Sequence, residues 1–175
     1  MPDQSPNPNT DRNAELQQHL KEMFNLARSG DAATLARLLA LGVPANLRNE
    51  KGDTLLMLAC YHGHLDAARV LLEHGADTEI YNDNGQLPLA AAAFKDYREI
   101  AELLLARGAK VDGAAPDGRT ALMMAAMFNR TAIVDLMLAH GADPHARNAK
   151  GLSAKELGAS MGAPDTVAQL EALGA

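Results

Sequence analysis

The side chains best suited to metal binding or nucleophilic catalysis lie in one short segment, which contains Cys60, His62, His64 and His74. Imidazole and thiolate groups are common ligands of Zn²⁺, and both can serve in covalent catalysis. Cys60 is the one cysteine of the chain, which excludes an intramolecular disulfide and a zinc site built on several cysteines. Whether these side chains can lie close together depends on the secondary-structure elements that carry them.

Composition favours helices. Hydrophobic residues make up 47% of the 175 residues, enough for a core, but aromatic residues make up only 3%. Half-buried strands need β-branched and aromatic side chains, so this composition disfavours a β-sandwich or barrel. The net charge of −6 argues against a general nucleic-acid binder. We find no secretory signal and no stretch able to span a bilayer, and therefore expect a soluble, cytoplasmic protein without a membrane partner.

The N-terminal residues differ from the rest of the chain. Residues 1–13 contain Pro2, Pro6 and Pro8 and no apolar residue after Met1, so we predict a disordered tail. From residue 14 an apolar stripe with helical spacing begins, formed by Leu16, Leu20, Met23, Phe24 and Ala27.

A single, constant period dominates the rest of the chain. One glycine series is Gly42, Gly75, Gly108, Gly141 and Gly174, and a second with the same spacing is Gly52, Gly85, Gly118 and Gly151. Leucine pairs recur in the same register as Leu38–Leu39, Leu71–Leu72 and Leu104–Leu105. Such self-similarity predicts a solenoid, in which units that cannot cover their own apolar faces stack into one continuous core.

The periodic pattern leaves little room for catalysis. Cys60 occupies a position that is alanine in other repeats, so we expect a buried and inert thiol. His74 and His140 are equivalent positions two repeats apart, roughly 20 Å at about 10 Å per helix layer. The glycines of the segment 113–118 belong to a turn tip and not to a phosphate-binding loop. We therefore expect no enzyme, no metal site and no cofactor.

The segments Gly52-Asp-Thr-Leu-Leu-Met-Leu-Ala-Cys-Tyr-His-Gly-His64 and Val70-Leu-Leu-Glu-His-Gly-Ala-Asp77 resemble an ankyrin repeat. The resemblance implies an all-α solenoid of stacked helix–turn–helix units with projecting β-turns or hairpins. It divides residues 14–175 into five units: 14–50 as an N-terminal cap, 51–83, 84–116, 117–149, and 150–175 as a C-terminal cap.

The residues at the unit boundaries fit this architecture. Thr54, Thr120 and Ser153 can cap the first helix of their units. Gly63 can end such a helix in the left-handed conformation, and Asp96 and Asn129 stand at the same position in the next units. Leu87 replaces the capping hydroxyl in the third unit. We expect it to be only partly buried, so that Leu87→Thr gains slightly in stability.

The ankyrin resemblance also implies where a partner would bind. In that family the turn tips and the outer ends of the first helices line a concave face that holds protein partners. The tip positions are Glu50, Lys51, Asp53, Asp83, Asn84, Gln86, Pro116, Asp117 and Arg119. The helix positions are Tyr61, His62, Phe94, Lys95, Met127 and Phe128, which include three of the six aromatic residues of the chain. Aromatic residues flanked by mixed charges have the composition of a binding hot spot with a polar rim.

A narrower resemblance links units two to four to a bacterial ankyrin subfamily, some of whose members are associated with catalase and peroxide defence. We expect a monomeric, non-catalytic module that binds one protein on its concave face. Two alternatives remain open: an accessory protein for an oxidant-handling enzyme such as catalase, and an immunity or inhibitor protein that blocks an enzyme. The eight methionines could scavenge oxidants, although core spacing favours a packing role for Met57, Met123 and Met137.

Overall fold

The computed structural model describes the backbone of residues 8–174 and the side chains of residues 18–174. Within that range the chain forms ten α-helices, and its only bridge between extended residues pairs Arg48 with Thr54. In chain order the helices are α1 (Pro8–Ser29), α2 (Ala32–Ala40), α3 (Leu55–His62), α4 (Leu65–Glu73), α5 (Pro88–Lys95), α6 (Arg98–Ala106), α7 (Ala121–Met127), α8 (Thr131–Ala139), α9 (Ala154–Ser160) and α10 (Pro164–Glu171). None of these helices is long and apolar enough to cross a membrane.

The helices stack in two parallel layers, as the constant period of the sequence predicts. The inner layer consists of α1, α3, α5, α7 and α9, and the outer layer of the five even-numbered helices. Each helix packs against its neighbours in the same layer and against the helix that precedes or follows it in the chain. The all-α repeat solenoid is therefore confirmed.

Buried leucine, methionine and alanine side chains form one continuous core between the two layers. Leu56, Leu71 and Leu104 are completely buried there, as is Met137. Small residues face each other where the inner helices approach, which lets short helices pack closely. The small residues at this position are Ala59, Ala92, Ala125 and Gly158.

The inner helices begin at the residues that the sequence predicts. The hydroxyl of Thr54 accepts a hydrogen bond from the Met57 amide at 3.0 Å, and Thr120 accepts one from Met123 at 3.3 Å. Ser153 forms a full capping box with Glu156. These bonds satisfy amides that have no partner within the helix, and the predicted hydroxyl caps are confirmed.

The turns before the inner helices share one hydrogen-bonding pattern. Asn49 Oδ1 accepts hydrogen bonds from the amides of Lys51 and Asp53, both at 2.9 Å. Asn82 and Asn148 do the same one and three repeats later. The third turn has Ala115 at this position and lacks the pattern. Asparagine side chains therefore build three of the four turns that precede inner helices, including two of the three turns that carry candidate site residues.

The start of α1 differs from the prediction of a disordered tail over residues 1–13. The backbone of residues 8–13 is helical, while residues 1–7 lie outside the described residues. Pro8 occupies the first helical position, where proline needs no amide partner, and extending an existing helix is far easier than nucleating one. Apart from residues 8–13, one pair of helices falls within each of the five predicted units.

Leu87 is buried, contrary to the expectation of partial exposure. Only 6% of its surface is accessible, and it belongs to the hydrophobic core. It makes no side-chain cap, while Pro88 supplies the first residue of α5. An apolar contact therefore replaces the capping hydroxyl of the other units.

We expect Leu87→Thr to lower the free energy of unfolding by about 1 kcal/mol, reversing the sign expected from sequence. Burying a leucine contributes about 1.5–3 kcal/mol, which exceeds a new cap of about 0.5–2 kcal/mol. Leu87→Ala gains no cap and should lose more, about 2–5 kcal/mol. Urea denaturation of the three proteins checks this order. A Leu87→Thr protein as stable as wild type would contradict it.

Candidate protein-binding surface

The aromatic residues predicted for the binding face lie at the C-terminal ends of three successive inner helices. Tyr61 lies in the last turn of α3 and Phe94 in the last turn of α5. Phe128 is the residue at which α7 ends. The constant period brings these positions side by side, because equivalent residues of stacked repeats are neighbours.

The three rings form a continuous row, which we call the aromatic strip (Tyr61, Phe94 and Phe128). The ring centroids of Tyr61 and Phe94 are 6.3 Å apart, and those of Phe94 and Phe128 are 4.5 Å apart in an edge-to-face arrangement. All three side chains are half-buried, with Phe94 and Phe128 packed against the core beneath. The strip thus has a fixed inner side and an accessible outer side.

Lys95 adds a cation to the aromatic strip. Its Nζ lies 4.4 Å from the centroid of the Tyr61 ring and 5.5 Å from that of Phe94. A cation over an aromatic face at this distance is attracted by the ring quadrupole. This contact holds the ammonium group above the rings.

A groove of about 390 Å³ lies between Tyr61, at one end of the aromatic strip, and the first two turns. The predicted site residues that line it are Lys51, Asp53, Tyr61, His62, Asn84 and Gln86. A second groove of about 410 Å³ follows toward the N-terminus and includes Glu50. Arg28 and Lys51 line both grooves, so the two are contiguous.

The remaining tip residues are less available than the sequence suggests. Asp117 forms an ion pair with Arg119 inside the third turn, and Asp83 pairs with Arg48 at 3.6 Å. Asp53, although it lines the groove, accepts hydrogen bonds from the side chains of Asn82 and Asn49 at 2.8 and 3.2 Å. Several tip residues therefore hold the turns in place.

Two further residues occupy equivalent positions in the capping units and were missed by the sequence analysis. Arg28 precedes Tyr61 by one full period and lines both grooves. Met161 follows Phe128 by one full period and is 51% exposed at the end of α9. Extending the register into the two capping units would have found both.

His62 lies in positively charged surroundings. Its pKa is held below the usual value by partial burial and by coulombic repulsion from His64, Arg28 and Lys95, while Asp53 acts in the opposite direction. The His62 and His64 rings are stacked with centroids 6.3 Å apart. These surroundings disfavour the protonated form of His62 and favour an anion beside it.

The other histidines of this segment have structural contacts. His64 Nε2 lies 2.7 Å from the carbonyl of Arg28 in the preceding unit. His74 Nδ1 lies 2.9 Å from the Val70 carbonyl, and His140 repeats that contact with Leu136 at 3.0 Å. Among the residues that the structure describes, no three His, Cys, Asp or Glu side chains are placed to hold a metal ion.

Cys60 is completely buried in α3, and burial raises the pKa of its thiol. We expect native protein to resist Ellman's reagent and the thiol to react only as the chain unfolds, because the reactive thiolate is inaccessible. Measuring the labelling rate across a urea series checks this. Rapid labelling without urea would show that α3 is loosely packed and would contradict the expectation.

Ten stacked helices with turns on one side define, over the described range, a helical repeat protein. A model of three ankyrin repeats matches residues 23–115, and a single ankyrin repeat model matches residues 117–149. These matches span most of the described chain. The protein belongs to the ankyrin repeat family, whose repeats form protein–protein interaction modules.

Relatives are similar over a few repeats only. A Pseudomonas aeruginosa protein named as an ankyrin repeat protein is 52% identical over 66 residues, 38% of this chain and 37% of its own length. Human ankyrin repeat domain-containing protein 29 is 47% identical over 55 residues, 31% of this chain and 18% of its own. Acyl-CoA-binding domain-containing protein 2 of Arabidopsis thaliana is 33% identical over 67 residues, 38% and 19% of the respective chains. The chain spans well under half the length of each relative.

Proposed function

We propose that this protein is a non-catalytic module that binds one protein partner over the aromatic strip and the adjoining groove. The observation that carries the proposal is the contact between three half-buried rings from three repeats, with a cation held above them. Fixed aromatic anchors lose little conformational entropy on binding, and the polar turn residues supply a rim around them. In this proposal the protein acts as a cytoplasmic monomer.

The alternatives have less support in the structure. Met57, Met123 and Met137 are at most 2% exposed, which favours packing over a role as oxidant scavengers. No observation favours an accessory role for catalase or an inhibitor role over other partners, and both remain predictions. A repeat scaffold separates its fold from its specificity, so the partner must be found by experiment.

The experiment compares capture from native lysate by wild-type protein and by Phe94→Ala. Phe94 touches both neighbouring rings, so its loss opens the centre of the strip. Leu41→Ala is the matched control, because Leu41 is 78% exposed and follows the outer helix α2. The captured proteins are identified by mass spectrometry, and helix content is checked by circular dichroism.

We expect at least one protein to be captured by wild type and by Leu41→Ala but not by folded Phe94→Ala. Equal capture by all three proteins would place binding elsewhere on the surface. Loss of binding together with loss of helix content would show that Phe94 serves the core and would contradict the proposed site.

A further inference from the structure

We infer that the partner segment is acidic: an extended stretch that carries both carboxylates and apolar side chains. This inference rests on the proposed function and specifies what the same surface recognises. It follows from the charges that line the two grooves, from the position of Lys95 and from the surroundings of His62.

The grooves are basic although the whole chain carries a net charge of −6. Lys21, Arg28, Arg48 and Lys51 line them, against the carboxylates of Glu50 and Asp53. The charge of the surface is thus opposite in sign to that of the protein. Such a local reversal attracts an oppositely charged partner and disfavours partners of like charge.

Three cations that line the groove beside Tyr61 or lie over its ring are in no ion pair with a described side chain. No carboxylate of the described side chains lies within 4.0 Å of the charged nitrogens of Arg28, Lys51 or Lys95. Arg48, in contrast, pairs with Asp83. The carboxylate of Asp53 already accepts two amide hydrogen bonds. Arg28, Lys51 and Lys95 are therefore the groups available to bind a carboxylate from outside.

The position of Lys95 fixes the pattern of the partner. Because its ammonium group lies directly over Tyr61 and beside Phe94, a carboxylate bound to it brings the neighbouring partner residues onto the rings. Extended chain rises about 3.3 Å per residue, and stacked helix layers are about 8–10 Å apart. An extended partner therefore has about three residues for each repeat that it crosses.

The surroundings of His62 point to the same ligand charge. Partial burial is the largest cause that lowers its pKa, and His64, Arg28 from α1 and Lys95 from α5 act in the same direction, whereas Asp53 raises it. A bound carboxylate would oppose the repulsion from Arg28 and Lys95 and raise the pKa of His62. Binding should then take up a proton, so affinity should increase as the pH falls through the range in which His62 titrates.

A selection from a library of random displayed peptides on the full chain tests the inference. Selected peptides are synthesised twice, once as found and once with every Asp and Glu replaced by Asn and Gln. Both forms are titrated against wild type, Tyr61→Ala, Lys51→Gln/Lys95→Gln, and the control Arg37→Gln/Arg69→Gln. The control changes two exposed cations of the outer helices α2 and α4.

We expect selected peptides to be rich in Asp and Glu and to bind at least about tenfold more weakly in their amide form. Lys51→Gln/Lys95→Gln should reduce binding about as much, and the control should leave it unchanged. Peptides that depend on Tyr61 but lack an acidic bias would overturn the inference and leave the proposed function standing. If no selected peptide depends on Tyr61, the proposed function fails as well. Tighter binding of single-stranded RNA than of the acidic peptides, in a parallel titration, would also overturn the inference.

Discussion

Replacing Tyr61, Phe94 and Phe128 together by alanine is expected to weaken partner binding by about 4 kcal/mol or more, roughly a thousandfold in Kd. Phe94 and Phe128 pack on the core, Tyr61 packs against Phe94, and all three rings remain partly accessible to a partner. Buried aromatic anchors often contribute about 2 kcal/mol or more each. Titration calorimetry with the purified partner measures the change. Helix content should persist, because the side chains of the core beneath remain in place.

The melting temperature of the triple variant provides the check on this result. A modest decrease is expected, since the three rings are half-buried and not enclosed. A protein that unfolds at low temperature would show that the rings are core residues. Unchanged affinity in a folded triple variant would equally contradict the proposed surface.

Gly63→Ala is expected to destabilise the fold by about 3 kcal/mol. Gly63 ends α3 with φ at 82°, a left-handed conformation that costs other residues about 1–2 kcal/mol. A Cβ at this position would also lie 2.8 Å from Cζ of Tyr97, whose ring covers the end of the preceding inner helix. Tyr97 would have to move, which disturbs the packing between the second and third units.

The variant Gly75→Ala separates the cost of the left-handed backbone conformation from the cost of the contact with Tyr97. Gly75 has φ at 83°, but a Cβ there meets no atom within 4 Å. This variant should lose only about 1 kcal/mol, the cost of the backbone conformation alone. Denaturation of both variants in urea measures the difference. Equal losses would show that contact with Tyr97 adds nothing at this junction.

The features that could be predicted from sequence are those fixed by local chemistry and by the period. Thr54 and Thr120 cap their helices because a hydroxyl at that position accepts an amide hydrogen bond. Asp96 and Asn129 adopt positive φ values of 65° and 56°. This conformation is expected because the equivalent residue of the second unit is a glycine, Gly63. The aromatic residues come together because equivalent positions of stacked repeats are neighbours.

The features that could not be predicted depend on the orientation of side chains and on contacts between units. Whether Leu87 is exposed depends on how the next turn folds over it, and that turn lacks the usual asparagine. Pairing of Asp117 with Arg119 depends on side-chain orientation within one turn. The positive charge of the groove arises because Arg28 of the capping unit lies beside Lys51, and composition alone suggests an acidic protein.

Hydrogen–deuterium exchange of the complex with its captured partner tests the central claim most directly. We predict slower exchange in the turns at residues 49–53 and 82–86 and at the ends of α3, α5 and α7. Exchange in the outer helices α4, α6 and α8 should not change. Protection confined to those outer helices, with the turns and the aromatic strip unaffected, would contradict the claim that the partner binds along the strip.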